Sequence, residues 1–205
     1  MRRFALPALC VWLAAVGPCQ GSSEAKRLPE ARPAHAAPPE TTPDASLNGD
    51  LVLNGAGIRN YLLFDIYRVA LYLPQRDSDV RQVLRNEVPR RVQITLLRDI
   101  SAERDIGFLM AGLEDNNSAE ELAAIQGSID QFMNLIRRMG KVPKGQIVQL
   151  DYHPSYGTRV WLNSRLLGVV PGAAFNRSLL KIWLGDNPIE KGLKRALLGD
   201  SSASL

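Results

Sequence analysis

The chain has 205 residues, of which 45% are apolar and 22% charged, and its formal net charge is +4. These values are typical of a soluble globular protein with room for one domain and tails. The basic residues are scattered and not interleaved with aromatic residues, which argues against a nucleic-acid partner.

The first 21 residues have the pattern of a signal peptide. Arg2 and Arg3 precede an apolar stretch over residues 4–16, which is too short to span a bilayer. Small residues follow this stretch, and they are compatible with cleavage by a signal peptidase after Gly21. We therefore expect an exported protein, either periplasmic or secreted. The alternative is an uncleaved membrane anchor.

The two cysteines both precede the predicted domain. Cys10 lies in the apolar stretch, and Cys19 ends a segment, Val16-Gly17-Pro18-Cys19, that resembles a lipoprotein signal except for its proline. If Cys19 is lipidated, membrane contact through this residue is expected. The domain itself has no cysteine, and therefore no disulfide, thiolate nucleophile or cysteine metal site.

Residues 22–46 are rich in proline, alanine and glutamate, a composition that predicts a disordered linker because it buries too little apolar surface. The domain is predicted over residues 47–199, with a tail at 200–205. Strands are expected at 51–53, 58–73, 91–97, 146–152, 158–162 and 166–170. Helices are expected at 77–86, from Ser101, from Ser118 to Gly140, at 173–184 and at 189–198. This order predicts an α+β domain, with a mainly antiparallel sheet covered on one face by helices.

Common catalytic signatures are missing from the domain, including the nucleophile elbow, the Walker loop and the His-Glu-x-x-His helix. Its one histidine, His153, sits in a predicted turn, so we expect no metal site and no cofactor.

Arg59 is the remaining candidate for a ligand contact. It follows residues 54–57, a small-residue segment expected to bend and leave open space. On one straight strand Arg59 and Tyr67 share a face but lie about 26 Å apart, so they meet at one ligand only if the strand bends or breaks. The alternative is an exposed arginine balanced by Asp65.

Four segments together resemble the chalcone isomerase-like family, in the form expected of an exported bacterial member. They are LNGAGIR (53–59), YRVALYLP (67–74), LLRDISAE (96–103) and FNRSLLKIWLGDNPIEKGLKRALLG (175–199). The resemblance implies an antiparallel sheet wrapped by helices with a ligand cleft between them. Plant enzymes of the family close a flavonoid ring, using an arginine and hydroxyl side chains. Non-catalytic relatives hold fatty acids, using the arginine and a tyrosine for the carboxylate.

The match to the family's functional residues is uneven. Arg59 matches the family arginine, and Tyr67 falls where the lipid-binding relatives carry tyrosine. The catalytic tyrosine of the enzymes would fall near Ser101 or Ala102, and their late serine or threonine near Ile182. Neither is present, which favours binding over catalysis, because an enone needs donors aimed at the developing oxyanion.

The resemblance therefore predicts a non-catalytic domain that binds a fatty acid or a similar anionic amphiphile. Arg59 would hold the head group and Tyr67 would donate a hydrogen bond. The residues expected to line the tail pocket are Leu62, Phe64, Met110 and Trp183. Two alternatives stay open: an isomerase (intramolecular lyase) acting on a flavonoid-like or enone substrate, and a partner-binding module with a closed cleft.

Overall fold

A computed structural model describes residues 51–200 of the chain. The predicted signal peptide, the linker, Cys19, the domain start at residue 47 and residues 201–205 lie outside this part. Among the described residues, no helix has both the length and the apolar character needed to cross a membrane.

The strands are β1 (Val52–Tyr61), β2 (Phe64–Leu73), β3 (Arg90–Leu96), β4 (Ile100–Ser101), β5 (Lys141–Val142), β6 (Ile147–His153), β7 (Gly157–Leu162) and β8 (Arg165–Val170). Six of them form the larger sheet in the order β1-β2-β3-β6-β7-β8, and every neighbouring pair is antiparallel. Two further strands, β4 and β5, form a separate two-residue ladder that the sequence did not predict.

The helices are α1 (Val80–Arg85), α2 (Ala102–Glu114), α3 (Ala119–Ala124), α4 (Gln126–Arg137), α5 (Ala173–Leu184) and α6 (Lys191–Leu197). One face of the sheet carries alternate apolar residues that are buried against helical residues such as Phe132 and Phe175. Strand residues of this buried face include Val69, Leu71, Val92, Leu150 and Val160. The predicted α+β architecture, with helices on one face of an antiparallel sheet, is confirmed.

The single strand predicted over residues 58–73 is wrong. β1 ends at Tyr61, the chain turns at Leu62 and Leu63, and β2 returns antiparallel from Phe64. Leu62 takes a positive φ of 56°, which is uncommon for a bulky residue. Pairing of two ten-residue strands satisfies their backbone groups and so supports this turn without glycine or asparagine.

The open turn predicted over residues 54–57 is also wrong, because this segment lies in β1 and is covered by α6. A Cβ at Gly55 would overlap the carbonyl oxygens of Ala196 and Leu197, so only glycine permits this approach. A register shift accompanies the contact, and the Asn54 amide donates to the Leu197 carbonyl at 2.8 Å. The small residues of this segment therefore allow α6 to pack closely against β1.

The capping box predicted at Ser118 is confirmed, with both reciprocal hydrogen bonds to Glu121 present. The helix predicted from Ser118 to Gly140 is divided in two at Ile125, where φ and ψ are −118° and 13°. Ser101 stands at the N-cap position of α2 as expected, but its side chain makes no capping hydrogen bond.

Candidate functional site

The β1–β2 hairpin places Arg59 directly opposite Tyr67 as cross-strand partners. Opposed residues of an antiparallel pair project on the same side of the sheet, with Cβ atoms about 5 Å apart. The long separation expected for one straight strand therefore does not apply. The break that the sequence hypothesis required is present, at Leu62 and Leu63.

Arg59 is paired with Glu190 rather than with Asp65. Its Nη1 lies 3.3 Å from Oε2 of Glu190, and the arginine side chain is only 18% exposed. The same carboxylate oxygen accepts the backbone N–H of Asn60 at 3.1 Å, while Arg59 Nη1 also donates to the Asn60 carbonyl. Among residues 51–200, Nε and Nη2 of Arg59 have no hydrogen-bond partner, so one edge of the guanidinium is available.

Tyr67 is oriented by Trp183. The indole N–H of Trp183 donates to the Tyr67 hydroxyl oxygen at 3.1 Å. Burial raises the pKa of Tyr67, and the Trp183 hydrogen bond and the Arg59 charge offset part of that increase. The phenol thus stays protonated at neutral pH. No acceptor for its proton lies within hydrogen-bond distance in the described part of the chain, so Tyr67 can donate to a ligand.

Arg59, Tyr67 and Trp183 all border one cavity of about 340 Å³ between the sheet and the helices. This volume lies within the range of about 300–1,000 Å³ usual for ligand pockets. Most of its wall is apolar, with contributions from Ile66, Ile94, Leu96, Phe132, Ile136, Met139, Val142, Val148, Leu150, Ile182 and Ile189. The cavity therefore combines an apolar interior with a guanidinium and a phenol.

Further polar wall comes from the segment that leads into α2 and from the first turn of that helix. Arg98, Arg104 and Asp105 line the cavity there. Burial raises the pKa of the Asp105 carboxyl, with the charges of Arg104 and Arg98 acting in the opposite direction. One oxygen of Asp105 is buried without a hydrogen-bond partner among the described residues. The polar end of the cavity therefore carries charges of both signs. Arginine side chains come from β1 and α2, and the Asp105 carboxyl lies beside them.

Three of the residues predicted to line the tail pocket lie elsewhere. Leu62 is in the hairpin turn and is 81% exposed, and Phe64, the first residue of β2, is also exposed. Met110 packs against the hydrophobic core and does not border the cavity. The cavity side of α2 instead presents Phe108 and Leu109, since Met110 is turned about 100° from Leu109 around the helix.

The positions where the sequence resemblance would place the enzymes' catalytic hydroxyl groups do line the cavity. Ser101 and Ala102 border it from the start of α2, and Ile182 borders it from α5. The chain supplies no phenol at the first two positions and no hydroxyl at the third. The cavity is thus present, but the two hydroxyl donors that the resemblance would place in its wall are not.

Glu190 and Asp105 are site residues that sequence reasoning did not identify. Glu190 lies 131 positions after Arg59, and no local pattern marks it as its partner. Residues 51–200 hold no cluster of acidic, histidine or cysteine side chains suited to a metal ion. The cavity beside Arg59 is also at odds with the closed cleft of the third alternative.

Comparisons with known proteins agree with this fold. A family model described as chalcone isomerase-like matches residues 36–199. The crystal structure of a fatty-acid binding protein from Arabidopsis thaliana is similar to this structure, with a TM-score of 0.59 and 15% sequence identity. The alignment covers 75% of this chain and 88% of that chain. No curated protein sequence matches.

Proposed function

Because the chain belongs to the chalcone isomerase-like family, we propose that its cavity binds a fatty acid or a similar anionic amphiphile without catalysing a reaction. The observation that carries this proposal is the pairing of Arg59 with Tyr67 beside an apolar cavity of about 340 Å³. The similar fold of a plant fatty-acid binding protein supports it further.

The head group would be held by two donors. Nε and Nη2 of Arg59 form an edge suited to the two oxygens of a carboxylate, and the Tyr67 hydroxyl adds a third hydrogen bond. Glu190 anchors the opposite edge of the guanidinium, so the arginine is fixed before the ligand arrives. Hydrogen bonds to charged groups contribute about 1.5–3 kcal/mol each in a protected site.

The acyl chain would extend from these donors into the apolar part of the cavity, towards β6 and α4. Leu150 lies on β6 and Phe132 on α4, and both side chains are buried. Each methylene removed from water contributes about 0.8 kcal/mol, so affinity is expected to increase with chain length until the cavity is full.

The test compares hexadecanoate with hexadecanol, which share a chain but differ in head-group charge, by calorimetric titration of the full chain. We expect preference for the acid in the unmodified protein and loss of that preference, about tenfold or more, in Arg59→Gln. Arg68→Gln is the matched control, because Arg68 is exposed on the next position of β2. Equal binding of acid and alcohol by the unmodified protein would refute the proposal.

Absence of catalysis is tested separately with a ring-closing chalcone substrate. We expect only the background rate, because the hydroxyl groups of the enzymes are replaced near Ala102 and Ile182. Turnover above background that is lost in Arg59→Gln would favour the isomerase alternative.

We also propose that the protein is exported. The support is the sequence of residues 1–21, with its two arginines, apolar stretch and small residues. Intact mass measurement of cell-purified protein tests this. Cleavage after Gly21 or a lipid-modified Cys19 would support export, whereas an intact N-terminus would contradict it.

A further inference from the structure

The tip of the β1–β2 hairpin exposes four consecutive apolar or aromatic side chains. Leu62 and Leu63 are 81% and 96% exposed, and Tyr61 and Phe64 on either side are more than half exposed. Such a run at a turn is unusual, because turns normally carry polar residues, glycine or proline. The hairpin projects Leu62 and Leu63 from the end of the sheet, and for this reason they are not buried inside the fold.

The exposed tip is continuous with the mouth of the cavity. Tyr61 lines the cavity, and its ring lies 6.4 Å from that of Phe108, another exposed aromatic residue of the cavity wall. The Arg98 guanidinium lies 5.3 Å from the centre of the Phe64 ring and also borders the cavity. Whatever covers the tip therefore also meets the opening through which a ligand would pass.

The charges around the tip suit lipid head groups without making the rim strongly basic. Arg98 and Arg104 are exposed, and neither forms a salt bridge among the described residues. Guanidinium groups bind phosphate oxygens well. Exposed carboxylates at Asp65 and Asp99 partly balance them. Attachment should thus depend more on apolar insertion than on net charge.

The size of the patch distinguishes between possible occupants. A stable protein interface buries about 800 Å² on each partner and uses about 20–30 residues a side. The tip with Phe108 offers about five apolar side chains. A lipid bilayer needs no matching surface, and a few leucine and aromatic side chains at its interface suffice for reversible attachment.

We propose that this hairpin tip inserts into the surface of a phospholipid bilayer, with Arg98 and Arg104 at the level of the head-group phosphates. The cavity mouth then opens towards the lipid, so an amphiphile passes between bilayer and cavity without crossing water. Docking does not depend on Cys19, and it goes beyond the proposed ligand binding because the surface exists whether or not the cavity is filled.

The position of the tip can be read from the fluorescence of one introduced tryptophan. Full-length protein carrying Leu63→Trp is mixed with vesicles of phosphatidylcholine and phosphatidylglycerol whose acyl chains are brominated. We expect a blue shift and strong quenching beyond those of the three native tryptophans, measured in the unmodified chain. Leu53→Trp is the matched control, since Leu53 is a partly exposed leucine at the opposite end of β1, about 26 Å from Tyr61 along the strand.

A second measurement uses vesicle flotation. We expect Leu62→Asp with Leu63→Asp to weaken vesicle binding about tenfold or more, while Leu53→Asp leaves it within about twofold. Unchanged emission of Leu63→Trp on addition of vesicles, or quenching equal to that of Leu53→Trp, would overturn the proposal.

The two proposals fail in different experiments. Arg59→Gln should keep the vesicle-induced quenching of Leu63→Trp and lose selective acid binding. The aspartate double variant should keep hexadecanoate affinity in vesicle-free solution and lose vesicle binding. If Arg59→Gln abolishes the quenching, insertion depends on the ligand site and the independent docking surface is refuted.

Discussion

Glu190 holds one edge of the Arg59 guanidinium and leaves Nε and Nη2 without a hydrogen-bond partner among residues 51–200, beside the cavity that Arg59 borders. Its Oε2 accepts from Arg59 Nη1 at 3.3 Å and from the backbone N–H of Asn60 at 3.1 Å. Glu190 immediately precedes α6, so the packing of that helix on β1 fixes the carboxylate. The ion pair orients Arg59 but also neutralises part of the charge that an anionic ligand would meet.

Glu190→Gln should therefore raise affinity for hexadecanoate by about threefold to tenfold, because the negative charge is removed while an amide oxygen remains to accept from Asn60. The unfolding free energy should fall by about 1 kcal/mol or less, as expected for a partly exposed ion pair. Calorimetric titration and urea unfolding measure the two effects. A loss of affinity would instead identify Glu190 as necessary for the orientation of Arg59.

Tyr67→Phe should weaken acid binding by about fivefold, since one hydrogen bond to the head group is lost. It should also lower the unfolding free energy by about 1–2 kcal/mol, because the buried Trp183 N–H loses its acceptor. Trp183→Phe separates the two effects: it removes the same internal hydrogen bond but keeps the Tyr67 donor. Equal loss of acid affinity in both variants would show that Tyr67 does not contact the ligand.

The fold class was predictable because the signals that specify it are local. The capping box at Ser118 and the helix over residues 173–184 both appear as expected. Each depends on residues within a few positions of one another. Alternating apolar residues then predicted the sheet, and the resemblance supplied the cleft.

The site was predictable only in part because its geometry depends on a turn without the polar residues, glycine or proline that usually mark turns. Leu62 and Leu63 continue the apolar pattern of a strand, so periodicity alone merged β1 with β2. Leu62 and Phe64 were expected to line the pocket, whereas the hairpin exposes both. Glu190 was missed because its contact with Arg59 exists only after α6 packs on β1.

Asp105→Asn should stabilise the fold at pH 7. Burial raises the pKa of this carboxyl, so the folded state binds its proton more tightly than the unfolded chain does. That contribution to stability is present at low pH and is lost as the pH rises from about 4 through the folded pKa. Relative to the unmodified protein, the variant should therefore gain up to about 1 kcal/mol at pH 7 and little near pH 3.

Glu103→Gln is the control for this prediction. Glu103 and Asp105 both lie in the first turn of α2, so both substitutions remove the same favourable interaction with the helix dipole, but Glu103 is exposed. Urea unfolding at a series of pH values measures both variants. If the unfolding free energies of Asp105→Asn and Glu103→Gln depend on pH in the same way, burial of Asp105 does not cause that dependence.

Gly55→Ala and Gly127→Ala should have opposite effects on stability. An added methyl group at Gly55 would overlap the carbonyl oxygens of Ala196 and Leu197, whereas a Cβ at Gly127 would project into open space. We expect Gly55→Ala to cost about 1–3 kcal/mol of unfolding free energy by displacing α6, and Gly127→Ala to gain about 0.5–1 kcal/mol because Gly127 is an exposed position of α4. Because α6 follows directly after Glu190, Gly55→Ala should also reduce selective hexadecanoate binding, although Gly55 does not border the cavity. Retention of both stability and acid selectivity in Gly55→Ala, measured by urea unfolding and calorimetry, would show that the seating of α6 does not control the position of Arg59.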